Sequence, residues 1–495
     1  MSEYKSPEIL KEEASGILSR LSGTELTAKS RREIPQQDMP SQDPQVRRSN
    51  MEEVALGYCE EQVLVESKRC LQCKNAPCIK GCPVSIDIPR FIEKAGEGAF
   101  GEAIDIIKES SMLPAICGRV CPQEKQCMEL CTLGKVFKDP EKSVAIGRIE
   151  RFLADWEREN RPETEVAVAP ATGKKVAIIG SGPSGLTAAA DLRKAGHEVT
   201  IFEAFHKPGG VTVYGIPEFR LPKSIVEQEV EGLVRMGVTL ETNFLVGRTR
   251  KLKDLMEKDG YDSVYIASGA GLPKFMHIEG ENLVGVFSAN EFLTRSNLMK
   301  AYDRSKSETP IYQARRVAVF GGGNVAMDAA RTAVRLGAEE VHIIYRRTEK
   351  EMPARVEEVH HAREEGVIFD MLTNPVRILG DETGRVRAVE CLKYELGEPD
   401  DSGRRRPVPI EGSNFVIELD ACIPSLGNNA NPILSDSTPE LEVNRWGNIV
   451  VDEENKTSMD RIYAGGDIVL GAATVILAMG QGRHAAEAIN KLLEN

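Results

Sequence analysis

One pattern occurs twice in this chain. KKVAIIGSGPSGLTAAADLRKAGHEVTIFEA runs from Lys174 to Ala204, and RRVAVFGGGNVAMDAARTAVRLGAEEVHIIYRR from Arg315 to Arg347. Each is an apolar run, a glycine turn, an amphipathic stretch and a second apolar run. A short apolar run closed by glycine reads as a buried strand, and apolar residues at three-to-four spacing as a helix. Strands alternating with helices are the signature of an α/β domain. Two such units predict two nucleotide sites, or a duplicated fold with one site lost.

Gly180, Gly182 and Gly185 fit G-x-G-x-x-G. The first glycine makes a tight turn, the second lets backbone approach a pyrophosphate, and the third allows helix to pack on strand. The helix amino terminus offers free N–H groups and partial positive charge to phosphates. Glu203 ends the next strand 23 residues after Gly180, where an acid can accept hydrogen bonds from a ribose. The bland alternative is a glycine turn without a ligand. Gly321, Gly323 and Ala326 fit the G-x-G-x-x-A variant. The strand after it ends in Tyr345, Arg346 and Arg347, where a site for NAD would carry an acid. Arginines pair with a 2′-phosphate that a carboxylate would repel, so this unit reads as an NADP(H) site. Solvated surface charge is the alternative for the two arginines.

Eight of the 11 cysteines fall between residues 70 and 131. CLQCKNAPCIKGCP holds Cys70, Cys73, Cys78 and Cys82, and CGRVCPQEKQCMELC holds Cys117, Cys121, Cys127 and Cys131. The amino terminus has no signal-peptide-like apolar stretch, and the longest apolar runs are far short of the roughly 20 residues of a membrane span. A cytoplasmic protein with reduced thiols is expected, so clustered cysteines bind metal more often than they form disulfides. Two all-thiolate zinc sites would use eight cysteines, but zinc ribbons favour paired CxxC knuckles and only Cys70 and Cys73 form one. The run C-x2-C-x4-C-x3-C-P is a stretched bacterial ferredoxin run, whose fourth cysteine serves a neighbouring cluster. Iron–sulfur is therefore preferred over zinc. The net charge of -13 argues against nucleic-acid binding.

At 495 residues the chain has room for two to four domains. Residues 1–50 are polar and Pro-, Gln- and charge-rich, and read as an extended leader. Residues 51–170 read as helices with cysteine-rich joints, ending in the linker RPETEVAVAPATGKK. His360 and His361 lie in a charged helix and read as a solvated face. The RRR at 404–406 reads as an exposed loop. Cys59, Cys391 and Cys422 read as core residues.

These motifs resemble those of the small (β) subunit family of NADPH-dependent glutamate synthase. That family includes the NADPH-binding subunit of ferredoxin–NADP transhydrogenase, also described as sulfide dehydrogenase. It also includes the amino-terminal half of dihydropyrimidine dehydrogenase. The resemblance covers about residues 30–495 and rests on the cysteine runs, GSGPSG, GGVTVYGIPEFRLPK, GGGNVAMD, YRRTEKEMPA and AGGDIVLGAATVILAMGQGR, in that order. It implies an α/β protein: a helical iron–sulfur domain, then a glutathione-reductase-type FAD domain split by an inserted NADPH domain. The divisions would be 51–170 for iron–sulfur, 171–286 and 427–495 for FAD, and 287–426 for NADPH.

The resemblance implies FAD on Gly180, Gly182, Pro183, Ser184, Gly185 and Glu203. Gly210, Val211, Gly269, Gly466, Asp467 and Thr474 would complete that site. It implies NADPH on Gly321, Gly323, Asn324, Val325, Ala326, Arg346 and Arg347. It implies two [4Fe–4S] clusters, one on Cys70, Cys73, Cys78 and Cys131, the other on Cys82, Cys121, Cys127 and Glu150. Cys117 would be spare, or would replace Glu150 as the eighth ligand.

Such a chain would pass electrons between NADPH, FAD and the clusters, with no separate acid–base machinery. With no room for an FMN barrel and no amino-terminal cysteine nucleophile, it would depend on a partner in a hetero-oligomer. That partner would be a glutamate synthase large subunit, or a flavin and [2Fe–2S] ferredoxin-reductase-like subunit, with ferredoxin a further candidate. In the second case the complex would be a transhydrogenase, bifurcating in some members. A cofactor-bearing assembly module without turnover is the alternative from another class.

Overall fold

A computed structural model of the chain describes residues 4–161, 166–400 and 403–494. The first three residues of the leader, part of the linker, residues 401–402 before the RRR run and the last residue lie outside these.

The leader is not extended. Helix α1 (Pro7–Leu21) starts on Ser6, whose hydroxyl accepts from the Ile9 N–H, with Pro7 at its first position. Its Leu10, Ala14 and Ile17 are buried, and the last two join Ile34 and Val65 in a small core. These positions follow i, i+4, i+7, one helix face, hidden in composition by the charges around them. A short helix, α2 (Pro44–Arg47), follows on an Asp43 cap. The helical domain then includes α3 (Glu60–Lys68), α4 (Ile88–Gly96), α5 (Phe100–Lys108), α6 (Pro114–Val120), α7 (Thr132–Phe137) and α8 (Ile146–Asn160), with a short turn of helix over Pro77–Lys80. Helices α6 and α8 touch at Gly118, where a Cβ would stand 2.6 Å from the Arg151 nitrogen. Any larger residue there would separate them.

The first nucleotide domain is a parallel sheet in the order β15-β4-β1-β2-β3. Its strands are β1 (Lys175–Ile179), β2 (Glu198–Phe202), β3 (Thr239–Glu241), β4 (Ser263–Ile266) and β15 (Ile462–Ala464). Helix α9 (Pro183–Lys194) crosses between β1 and β2; α10 (Val211–Tyr214) and α11 (Lys223–Arg235) follow. The chain leaves through β5 (Leu272–Pro273) and returns through β14 (Asn428–Asn429), which pair antiparallel. Between them lies a second parallel sheet, β13-β6-β7-β8, built from β6 (Arg316–Phe320), β7 (Glu340–Tyr345), β8 (Ile368–Met371) and β13 (Ala421–Pro424). Helices α12 (Asn324–Arg335) and α13 (Val356–Glu364) cover it.

An antiparallel layer of β9 (Thr373–Gly380), β10 (Val386–Pro399), β11 (Arg405–Pro409) and β12 (Phe415–Glu418) precedes β13. Arg405 and Arg406, expected in a loop, instead begin β11 and are exposed. The chain ends in α14 (Val475–Glu494), which lies on α9 at Gly482, where a Cβ would stand 2.2 Å from the Ser184 carbonyl. Among the described residues no helix is long and apolar enough to cross a membrane.

Candidate functional site

The first glycine turn is glycine for two different reasons. At Gly180 φ is +103°, and a Cβ would stand 2.5 Å from the Ala267 carbonyl; at Gly185 it would stand 2.0 Å from the Gly180 carbonyl. Those positions are closed by protein. At Gly182, the cap of α9, a Cβ would meet no atom within 4 Å, so backbone faces open space there. Pro183 and Ser184 open the helix, and the Ser184 and Tyr265 hydroxyls lie 2.6 Å apart. Gly210, with φ +57°, approaches Gly182 so closely that its Cβ would stand 2.8 Å from the Gly182 Cα. Val211 then opens α10.

Glu203 is buried and braces the turn: it accepts from the Ser181 N–H at 2.9 Å and the Phe205 N–H at 2.8 Å. Gly466 (φ +76°) abuts Ser184, and Asp467 accepts from the Ala473 N–H at 3.1 Å. Burial pushes the Asp467 carboxyl up to about 6. Gly269 (φ +70°) also faces open space. Open backbone over a helix amino terminus fits a dinucleotide pyrophosphate.

The second turn repeats the geometry. Gly321 has φ +142° and a Cβ there would stand 2.4 Å from the Ser425 carbonyl, while at Gly323 it would meet only Pro353, at 3.9 Å. Ala326 is fully buried and Val325 is 45% exposed. Asn324 Oδ1 accepts from the Arg355 N–H at 2.9 Å, tying the YRRTEKEMPA segment to the turn. The two arginines diverge, as successive residues at a strand end do. Arg346 is exposed and makes no ion pair among the described residues. Arg347 is buried; its Nη2 pairs with Asp400 at 2.6 Å and its Nε donates to the Arg405 carbonyl at 2.8 Å. Arg347 is thus committed within the protein, and Arg346 is the cation turned to solvent.

The thiols form two groups that mix the two runs. Cys131, from the second run, stands beside Cys70 and Cys78 of the first, and Cys70 lies beside Cys73. The Cys73 sulfur is 3.3 Å from the Thr132 hydroxyl. Cys82, from the first run, lines one cavity with Cys117, Cys121, Cys127 and Glu150. Burial pushes Cys70 and Cys82 up to about 11 and Cys78 up to about 12. Burial, with Glu229 nearby, pushes Glu150 up to about 8, and its Oε1 has no hydrogen-bond partner. Anion-forming groups gathered in a buried space, one with an orphaned oxygen, fit a cationic cluster core.

Among the described residues, no three His, Cys, Asp or Glu side chains converge as on a single metal ion; the second group of thiols lines a space instead. Cys117 is fully buried, next to Cys121 and Glu150, with its sulfur 3.4 Å from Met479 Sδ. Both candidates for the eighth ligand therefore face the same cavity.

Helix α14 joins the cavity to the first turn. Thr474 Oγ1 accepts from the Leu477 N–H at its start, and Ile476 lines the thiol cavity. A Cβ at Gly480 would stand 2.8 Å from the carbonyl of Pro83, next to Cys82. Gln126 Nε2 donates to Thr474 Oγ1 at 3.4 Å. Sequence reasoning missed Gln126, because nothing but adjacency to Cys127 marks it. His361 also departs from expectation. His360 is exposed, but His361 has a buried, unpartnered Nδ1, and burial with Arg331 pushes it down to about 4.

Residues 47–162 match the family described as dihydropyrimidine dehydrogenase domain II, 4Fe-4S cluster. Residues 174–488 match the pyridine nucleotide-disulphide oxidoreductase family. The chain is 36% identical to the glutamate synthase [NADPH] small chain of Azospirillum brasilense, over 92% of this chain and 94% of that one. It is 41% identical to the NADP(+)-dependent formate dehydrogenase subunit beta of Moorella thermoacetica, over 85% of this chain but only 60% of that longer protein. The solved structure of Mycobacterium tuberculosis FprA in complex with NADPH shares the fold, with a TM-score of 0.55 at 22% identity over 66% of this chain and 85% of that one. The chain belongs to the NADPH-dependent glutamate synthase small-subunit family, oxidoreductases that join a 4Fe-4S domain to a pyridine nucleotide-disulphide oxidoreductase domain.

Proposed function

We propose that this chain takes electron pairs from NADPH and hands them on singly to a partner subunit. Bound FAD accepts a hydride as a pair, and iron–sulfur clusters move one electron at a time. The observation that carries this reading is the α14 wall, whose Gly482 packs on Ser184 of the first turn and whose Ile476 and Gly480 border the thiol cavity. Gly182 and the start of α9 would hold the FAD pyrophosphate; Gly323 and the start of α12 would hold that of NADPH. Arg346 would read the 2′-phosphate, with Arg347 as its structural neighbour. Cys70, Cys73, Cys78 and Cys131 would hold one cluster. Cys82, Cys121, Cys127 and either Glu150 or Cys117 would hold the other.

The relatives' names describe subunits or small chains, so a hetero-oligomer follows, with a glutamate synthase-type large subunit as the first partner to seek. Eleven free cysteines suit a reducing, cytoplasmic setting. Anaerobic dye reduction by the isolated chain tests the reading. NADPH should support steady turnover and NADH much less. No turnover with either would leave a cofactor-bearing module without activity of its own.

A further inference from the structure

The second nucleotide domain is attached to the first by the two-residue strands β5 and β14. A domain held by so short a ribbon can swing unless another surface fixes it. One such surface is a buried ionic cluster built on α12 and α13. From the first nucleotide domain, Phe219 packs against two guanidinium groups of α12, with Arg331 and Arg335 at 4.7 and 3.9 Å from its ring centre. Arg220 beside it pairs with Asp328 at 2.7 Å and Glu358 at 3.1 Å. Arg331 and Arg335 pair with Glu365 at 2.7 and 2.6 Å.

The remaining cation comes from the leader. Arg47 on α2 pairs with Glu365 at 2.9 Å and Glu364 at 2.6 Å, across 318 and 317 residues of sequence. Arg47 is 1% exposed, and Arg331 and Glu365 are 0% exposed. Arg47, Arg220, Arg331 and Arg335 balance Asp328, Glu358, Glu364 and Glu365. Buried ion pairs return little net stability, because desolvation offsets their attraction. What they enforce is geometry, and a guanidinium fork on two carboxylates enforces it most tightly.

We propose that Arg47 is a positioning residue: the amino-terminal segment straps the second nucleotide domain into one orientation against the first. The role of that orientation in hydride delivery rests on the function proposed above; the strap itself does not. Other ties remain without Arg47: Arg220 keeps Asp328 and Glu358, Asn297 donates to the Gly215 carbonyl at 3.0 Å, Arg355 to that of Arg119 at 2.9 Å, and Lys125 to that of Pro353 at 3.0 Å. Loss of Arg47 should therefore loosen the domain without releasing it.

The test compares full-length Arg47→Met and Arg47→Lys with the parent chain. Hydrogen exchange should speed up several-fold in β5, β14 and α13 in Arg47→Met, and less in Arg47→Lys. NADP⁺ affinity should stay within about twofold, while flavin bleaching by NADPH slows about tenfold, since small misplacements of a reacting pair carry costs of that size. Glu364→Gln, which removes only the half-exposed partner, should give the same pattern more weakly and serves if Arg47→Met does not fold. Unchanged exchange in β5, β14 and α13 would overturn the proposal. So would faster exchange confined to residues 4–50 with unchanged bleaching. If the parent chain itself is not bleached by NADPH, the proposed function fails, and the exchange data alone decide the strap.

Discussion

The two nucleotide domains share a turn and differ in what faces it. In both, the first glycine is closed off by a neighbouring carbonyl, Ala267 in one and Ser425 in the other, and the second opens onto free space. They part at the third position and at the end of the second strand. Gly185 has no room for a methyl group, while Ala326 carries one in a fully buried contact. Glu203 turns inward onto the turn, whereas Arg346 turns outward to solvent. The shared part is what any dinucleotide pyrophosphate needs. In the proposed function, the divergent strand ends would decide which nucleotide each domain takes.

The harshest way to break this comparison is at the third position. Gly185→Ala forces a methyl group onto the Gly180 carbonyl, so the purified protein should lose most of its bound flavin, read from its visible spectrum. Ala326→Gly adds only backbone freedom, about 1 kcal/mol of helix cost, and should keep the NADPH KM within about twofold. Next comes the strand end. Arg346→Ala should raise the NADPH KM about 10- to 150-fold, the worth of a charge-assisted contact of roughly 1.5–3 kcal/mol, and leave NADH unchanged. Arg347→Ala should cost more in thermal stability than in KM, because it removes a buried side chain with its bonds to Asp400 and the Arg405 carbonyl; equal KM effects of the two would erase the distinction between them.

A third test belongs to the thiol cavity against which the first domain stands. Glu150→Ala should shift the potential of one cluster, since a carboxylate and a thiolate tune iron differently, whereas Cys117→Ser should retain both clusters. The reverse result would make Cys117 the ligand.

The smallest effects are in pH dependence. His197 in the first domain is pushed down by burial, as is His361 in the second, to about 4. A histidine that resists protonation when folded takes its proton on unfolding, so stability falls as pH drops below about 6.5. Only the second domain has a histidine pushed up: His342, held by Asp370 at 2.6 Å with Glu340 at 2.7 Å on its other nitrogen. Its contribution is present below about 6.5 and lost as pH rises through the raised value. Melting curves against pH should lose that alkaline decline in His342→Gln and lose part of the acid decline in His361→Asn.

The glycine turns and the cysteine runs were legible because local chemistry dictates them. A positive φ, a carbonyl at 2.0 Å or a ferredoxin-like spacing leaves few residue choices. The leader was not, because one apolar face, Leu10, Ala14 and Ile17, is diluted by charge, and because the partners of Arg47 lie over 300 residues away. The alternation of Arg346 and Arg347 follows from strand geometry, but Asp400 arrives from a distant hairpin and no periodicity announces it. His361 looked solvated because its neighbours are charged; in the fold those charges pair with one another and close over it.

In the proposed function one chain holds the whole path from NADPH through flavin to clusters. The direct measurement is anaerobic reconstitution of the isolated chain, followed by flavin and iron analysis and electron paramagnetic resonance after adding NADPH. The account predicts one flavin and about eight iron atoms per chain, flavin bleaching by NADPH, and a reduced-cluster signal that NADH produces far more slowly. A chain that binds iron but no flavin, or whose flavin bleaches while the clusters stay oxidised with their potentials in reach, would contradict it.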